Sequence, residues 1–292
     1  MSRASFSRLI RFVPKNDQTV TLIGEPTSKS TDIGLSLRQN KPILAYVFDG
    51  FSVLSPGQQT SKEVEVGRVL SPVAQHEVGT IRCIGLNYRQ HAHEVKLPIP
   101  KVPTLFMKPA TSLNDPFPAT VELPKLSQID DCADYEAELA VIIGRDCKDV
   151  TETEAAEYIL GYTACNDVSS RTSQFKDSQW CFSKGFDGAC PLGPVLVSSD
   201  LIPDPSQLHI KGIKNGKLVQ DCSIGDLIFS IPKLISFLSQ NTTLLAGTVI
   251  ITGTPAGVGL SRNPPEALRS GDEFAVEILP HIGTLINQFE NA

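Results

Sequence analysis

Short apolar segments, cut apart by glycine and proline, set the limits on this fold. TLFMKP at 104–109, ELAVIIG at 138–144, PVLVSS at 194–199, TVIITG at 248–253 and EFAVEIL at 273–279 each have strand length and strand composition. A sixth, TIRCIGL, opens at Thr80. They do not alternate regularly with helices, which argues against a doubly wound parallel sheet. LHIKGI-KNGK-LVQDC reads as a hairpin, with Asn215-Gly216 suited to a type I′ turn. Helix signals are few. Thr151 and Glu154 form a capping box ahead of AAEYIL. Ser230, with Pro232 in the first turn, heads KLISFLSQ. The 21 prolines and 21 glycines suit a loop-rich, mainly β (α+β) protein. Residues 1–75 read as a small N-terminal β-rich domain with turns at Asp49-Gly50 and Ser55-Pro56-Gly57. Residues 76–292 form the larger domain.

Bulk properties narrow the function. The 292 residues carry a net charge of −6 without a basic block, which speaks against a nucleic-acid partner. No apolar run approaches the roughly 20 residues of a membrane helix. The seven cysteines are odd in number and include no C-x-x-C pair, against both a disulfide framework and a thiolate zinc site. A reducing, cytoplasmic location fits best. The alternative is mitochondrial import, since MSRASFSRLIRF holds Arg and Ser and no acid. Against it, residues 6–13 look like a first strand of the fold.

Four stretches offer chemistry. In residues 133–144, ADYEAELAVIIG, Glu136 and Glu138 stand two apart where an apolar strand begins, so their side chains share a face. Like charges that close repel, and burying either is costly unless it is paired. A hard divalent cation would resolve this, with Asp167 as a third ligand; exposure at a strand edge is the plain alternative. In CIGLNYRQHAHE, His91 and Glu94 share a face if they lie on a helical turn, and a carboxylate can hold the imidazole as a general base. A solvated polar turn is the alternative. Lys184, between Phe182 and Phe186, suits an anionic substrate or a developing enolate, or else is a surface lysine. VIITGTPAGVG lacks the G-K-[ST] of a phosphate loop, but its backbone N–H groups and the Thr254 hydroxyl could hold a carboxylate; a plain turn is the alternative.

Six ordered motifs together resemble the fumarylacetoacetate hydrolase (FAH) superfamily. They are G-x-N-Y-x-x-H-x-x-E from Gly85 to Glu94, F-x-K-P from Phe106 to Pro109 and E-x-E-L-A from Glu136 to Ala140. G-Y-x-x-x-N-D-x-[ST]-x-R follows from Gly161 to Arg171, then K-x-F-D from Lys184 to Asp187 and T-G-T-P-x-G-V-G from Thr252 to Gly259. The resemblance spans about residues 80–280, and the N-terminal unit is similar to that of members with a small extra domain. It implies a mixed β-sandwich roll, a homodimer, and Mg²⁺ or Mn²⁺ held by Glu136, Glu138 and Asp167. It implies a His91–Glu94 catalytic dyad on a lid-like segment, with Lys184 supporting an oxyanion. Arg171, Gln174 and Thr254 match positions that contact substrate in relatives. The implied activity is C–C hydrolysis of a 2-oxo or 2,4-dioxo acid, such as an acylpyruvate. Oxaloacetate tautomerisation or decarboxylation is the alternative from the same constellation, and a catalytically silent metabolite-binding homologue is the remaining class. Specificity would lie in the loops at 97–102 and 174–181.

Overall fold

A computed structural model describes residues 6–292. Ten strands form one continuous path in a large mixed sheet. Their order is Leu22–Pro26, Leu44–Phe48, Gln59–Leu70, Arg8–Pro14, Cys190–Ser198, Ile159–Asn166, Ala137–Ile143, Val249–Ile251, Ile81–Gly85 and Thr104–Lys108. The first four close on themselves, because Arg8–Pro14 pairs with both Leu22–Pro26 and Gln59–Leu70. Arg8 and Leu9 also pair with Val197 and Leu196, so this small barrel is hydrogen-bonded directly to the large sheet. A second sheet of five strands runs Lys217–Ser223, His209–Lys214, Glu273–Leu279, Gly283–Asn291 and Thr120–Leu123. It packs across Ala137–Ile143, Ile159–Asn166 and Cys190–Ser198. The fold is thus the mixed β-sandwich roll expected of the sequence.

The strand Ala137–Ile143 is buried along its whole length, and its two faces serve different cores. Leu139, Val141 and Ile143 pack between the sheets with Ile210, Phe274, Val276 and Leu285. Ala140 and Ile142 turn the other way, towards Cys83, Phe106, Cys165 and Ile251. Each large aliphatic buried here contributes about 1.5–3 kcal/mol. A one-residue slip would exchange the two faces, which pins the register. Glu136 and Glu138 share parity with Ala140 and Ile142. The acids therefore project on the face away from the five-stranded sheet.

The hairpin turns as expected, with Asn215 at φ 50° and Gly216 at φ 77°. Ser230 caps the helix Ile231–Leu238, whose buried residues Ile231, Leu234, Ile235 and Leu238 follow helical spacing. The segment after Thr151 departs from expectation. Thr151 does bond Glu154, but only a 3₁₀ turn, Ala155–Tyr158, follows. Ile159 then enters a strand paired on both sides, and those ladder hydrogen bonds override the local helix signal. The N-terminal strand is found as Arg8–Pro14, while residues 1–5 of the leader-like stretch lie outside the described residues. No described helix is long and apolar enough to cross a membrane, and all seven cysteines are free.

Candidate active site

Antiparallel register assembles the acids. Glu138 stands opposite Cys165 and Ala137 opposite Asn166, so Glu136 falls opposite Asp167. The Asp167 N–H donates to the Glu136 carbonyl at 3.0 Å and extends the ladder by that step. Glu136, Glu138 and Asp167 are all buried, and one carboxylate oxygen from each lies within 4.8 Å of the others. Strand-edge exposure is thereby ruled out.

Three buried cations face these acids. Lys184 Nζ lies 2.8 Å from Glu136 Oε1 and 2.9 Å from Asp167 Oδ2, and 5.2 Å from the centre of the Phe106 ring. Lys108 Nζ lies 2.7 Å from Asp167 Oδ1 and also donates to the carbonyls of Ala189 and Lys184. Arg171 Nη1 reaches Glu136 Oε1 at 2.7 Å, while its Nε donates to Asp134 Oδ2 at 2.8 Å. Burial alone would push the Glu136 carboxyl up. Lys184, then Arg171 and, more weakly, His91 pull it down to about 2. Glu138 moves the other way. Burial, followed by the charges of Asp167 and Glu136, raises it well above the usual carboxylate range. Burial opposes charge on Lys184, but Asp167 and Glu136 prevail and keep it protonated.

These residues fit a hard divalent cation. Each acid has one oxygen fixed by the protein: Glu136 Oε1 by Lys184 and Arg171, Glu138 Oε2 by the Gly253 N–H at 2.6 Å, and Asp167 Oδ2 by Lys184. Asp167 Oδ1 is buried with no hydrogen bond of good geometry and faces the Lys108 ammonium. The three carboxylates converge, one oxygen of each within 4.8 Å of the others, with a like-charge penalty that a cation would relieve.

Beside the acids lies the expected dyad. His91 and Glu94 sit on the helix Arg89–Glu94, and His93 points out to solvent. His91 Nδ1 is 2.9 Å from Glu94 Oε2. Glu94 Oε1 accepts from the Gly257 N–H at 2.9 Å. With the Nδ1 proton given to the carboxylate, Nε2 keeps its lone pair for a base's work. The loop after Val249–Ile251 thus serves both centres, through Gly253 to Glu138 and through Gly257 to Glu94. Gly257 has φ 106°, and a Cβ there would run into the Val219 carbonyl.

The other named residues are tied into the scaffold. Thr254 donates its hydroxyl proton to the Ala137 carbonyl at 3.0 Å and accepts from Gln220 Nε2 at 2.7 Å. Gln174 Oε1 accepts from Arg171 Nη1 at 3.0 Å. Arg171 Nη2 is buried without a hydrogen-bond partner. Sequence reasoning passed over Lys108, Asp134 and Gln220. Lys108 was available from strand parity with Phe106 in F-x-K-P. Asp134 continues the two-residue spacing of Glu136 and Glu138. It accepts from the N–H groups of Gly259 and Leu260 as well as from Arg171. Gln220 arrives from the other sheet and left no local signal.

Residues 80–290 match the family model described as fumarylacetoacetate (FAA) hydrolase C-terminal. The chain belongs to the fumarylacetoacetate hydrolase family. Within that family it is 45% identical over 291 residues to a caffeoylpyruvate hydrolase of Neonothopanus nambi, covering 97% of this chain and 93% of that one. It is 38% identical over 220 residues to a mitochondrial oxaloacetate tautomerase of Rattus norvegicus, covering 75% and 68%. Among solved structures it resembles a maleylpyruvate hydrolase from Sphingobium sp. SYK-6 in complex with manganese(II) and pyruvate. That match has 28% identity and a TM-score of 0.66, and covers 79% and 77% of the two chains.

Proposed function

We propose that this protein is a divalent-metal-dependent hydrolase that cleaves the C–C bond of an acylpyruvate-type 2,4-dioxo acid. One observation carries the reading: a histidine whose Nδ1 pairs with Glu94 lies near enough to act on the charge of Glu136, in a buried acid triad flanked by three cations. The near-full-length likeness to a caffeoylpyruvate hydrolase supports hydrolysis over tautomerisation. Charge balance supports an anionic substrate. With all four carboxylates ionised, as a bound cation would require, Asp134, Glu136, Glu138 and Asp167 face Lys108, Lys184 and Arg171 with one net negative charge, and a divalent ion would make it one net positive.

Glu136, Glu138 and Asp167 would hold Mg²⁺ or Mn²⁺, which when bound supplies Lewis acidity towards the 2-oxo acid. Arg171, Gln174 and the Thr254 loop would take the substrate carboxylate, with Arg171 Nη2 as an unspent donor. His91 Nε2 takes a proton from water as its oxygen adds to the acyl carbonyl. Glu94 holds the imidazolium that forms. The C–C bond then breaks, its electron pair passing to the carbon next to the keto group. Lys184 offsets that negative charge. Return of the proton from His91 to this carbon gives pyruvate, and the acyl group leaves as a carboxylic acid. A homodimer in the cytoplasm remains our reading of its state and place.

The test is a Mg²⁺-supplemented ultraviolet assay on an acylpyruvate and on freshly dissolved enol-oxaloacetate, with product analysis and E138A as control. Pyruvate from the acylpyruvate, lost in E138A, is the expected result. Enol decay of oxaloacetate without pyruvate from either substrate would make the protein a tautomerase instead.

A further inference from the structure

Trp180, the chain's single tryptophan, lies outside every motif that identified the family. It precedes the short helix Cys181–Lys184, and its carbonyl accepts from the Lys184 N–H at 3.1 Å and from Ser183 Oγ at 2.9 Å. Its indole meets the Phe106 ring edge-on, at 5.5 Å between centres and 65° between planes. Lys184 Nζ sits over that same Phe106 ring at 5.2 Å.

The benzo edge of the indole abuts Gly85, the last residue of the strand Ile81–Gly85. A Cβ at Gly85 would run into the edge of the benzo ring, 2.3 Å from Cζ3 and 3.0 Å from Cη2. Immediately afterwards Leu86 takes φ 54°. A non-glycine residue keeps that conformation only where its surroundings enforce it. Asn87 is then fixed by bonds to the Thr252 carbonyl at 2.8 Å and to the Phe229 N–H at 2.8 Å. The helix with His91 and Glu94 begins two residues later. Only Leu86, Asn87 and Tyr88 separate that strand from the dyad helix, so a shift at Gly85 carries to the imidazole.

We propose that Trp180 is a positioning residue: its indole wedges the strand end that launches the His91–Glu94 helix against the helix that ends in Lys184, and so sets the base relative to the lysine. Its ring contacts are Phe106 and Gly85. Glycine at position 85 is the complement of this wedge, since its bare Cα gives the indole its seat. The proposal rests on the catalytic reading above, because the two groups it aligns are the ones assigned there to proton transfer and charge stabilisation.

The test uses W180A, W180F, G85A and the double variant G85A/W180A. A misplacement of about 1 Å costs on the order of a hundredfold in rate. W180A and G85A are therefore each expected to lower kcat on an acylpyruvate by about tenfold to a hundredfold. KM and Mg²⁺ affinity by calorimetry should move far less, because the acid triad is untouched. W180F, which keeps an aromatic face, should recover most of the loss. The methyl group that G85A adds fits the space that removal of the indole vacates, so the double variant should be no slower than G85A alone. Indole emission, read on the red edge of the absorption band, should shift in G85A as the ring is pushed from its seat. Additive losses in the double variant, unchanged emission in G85A, or wild-type kcat in W180A would each overturn the proposal. If the wild type cleaves no acylpyruvate, the reaction assigned above fails, and the wedge is read from G85A alone: a shifted indole emission supports the seat against Gly85, and an unchanged emission overturns it. W180F and G85A keep the test decisive should W180A not fold.

Discussion

Replacing Lys184 with methionine keeps most of the side-chain volume and removes one buried positive charge. The ammonium touches Glu136 at 2.8 Å and Asp167 at 2.9 Å, and all three side chains are less than a tenth exposed. Four carboxylates would then face only Lys108 and Arg171. Breaking a buried ion pair by deleting one partner costs about 3–5 kcal/mol. At roughly 2–4 °C per kcal/mol for a chain near this size, the metal-free variant should melt about 6–20 °C lower. The same deletion removes a repulsion felt by a divalent cation. Mg²⁺ should therefore bind K184M more tightly, by about tenfold or about 1.4 kcal/mol, and raise its melting temperature more than it raises the wild type's. Turnover should nevertheless fall by about a hundredfold or more, as when a preorganised oxyanion donor is lost. Differential scanning fluorimetry with and without Mg²⁺, beside calorimetric titration, measures all but the last. Equal melting of the two metal-free proteins, or equal stabilisation by Mg²⁺, would refute the placement of the lysine against the cation site.

H91A and E94A should each lose cleavage by about a hundredfold to ten-thousandfold while Mg²⁺ affinity stays close to wild type; normal cleavage in both would remove the dyad from the mechanism. G257A should be destabilised by about 1–3 kcal/mol, because alanine resists φ 106° and its Cβ meets the Val219 carbonyl. It should also slow turnover by freeing Glu94, and a wild-type melting curve would count against that anchor. Without metal, Glu136 adds a pH dependence of known sign. Its carboxyl falls from 4.5 to about 2 on folding. The stability it contributes is complete above the unfolded value and disappears as pH falls from 4.5 to about 2. R171M should shrink that acid-limb loss in denaturant titrations, and an unchanged acid limb would show that Arg171 does not hold the charge.

Much of the centre was legible because strand parity is a local rule. The spacing of Glu136 and Glu138 fixed a shared face, and the strand ahead of Asp167 supplied the partner for a third acid. The His91–Glu94 spacing became a dyad because the turn after Gly85 is helical. The helix headed by Ser230 and the Asn215-Gly216 hairpin formed as local rules dictate. What escaped was non-local. A capping box after Thr151 gave way to a strand that two neighbours hydrogen-bond. Gln220 comes from a different sheet, and its amide joins Ala137 to the Thr254 loop. Sequence spacing also marked Thr254 as a free hydroxyl, whereas in the fold its proton is committed to a carbonyl. Lys108 and Asp134 lay within reach of the parity rule, but their partners, Asp167 and Arg171, became evident only once the strands were in register.

The most direct test of the central claim is the fate of solvent oxygen. The enzyme, loaded with Mg²⁺, is incubated with an acylpyruvate in ¹⁸O-water, and the carboxylic acid it releases is analysed by mass spectrometry. Water activated by His91 predicts one heavy oxygen in that acid, formed in step with pyruvate and absent from H91A. Loss of the enol signal with no labelled acid, or label appearing at the same rate in H91A, would contradict it.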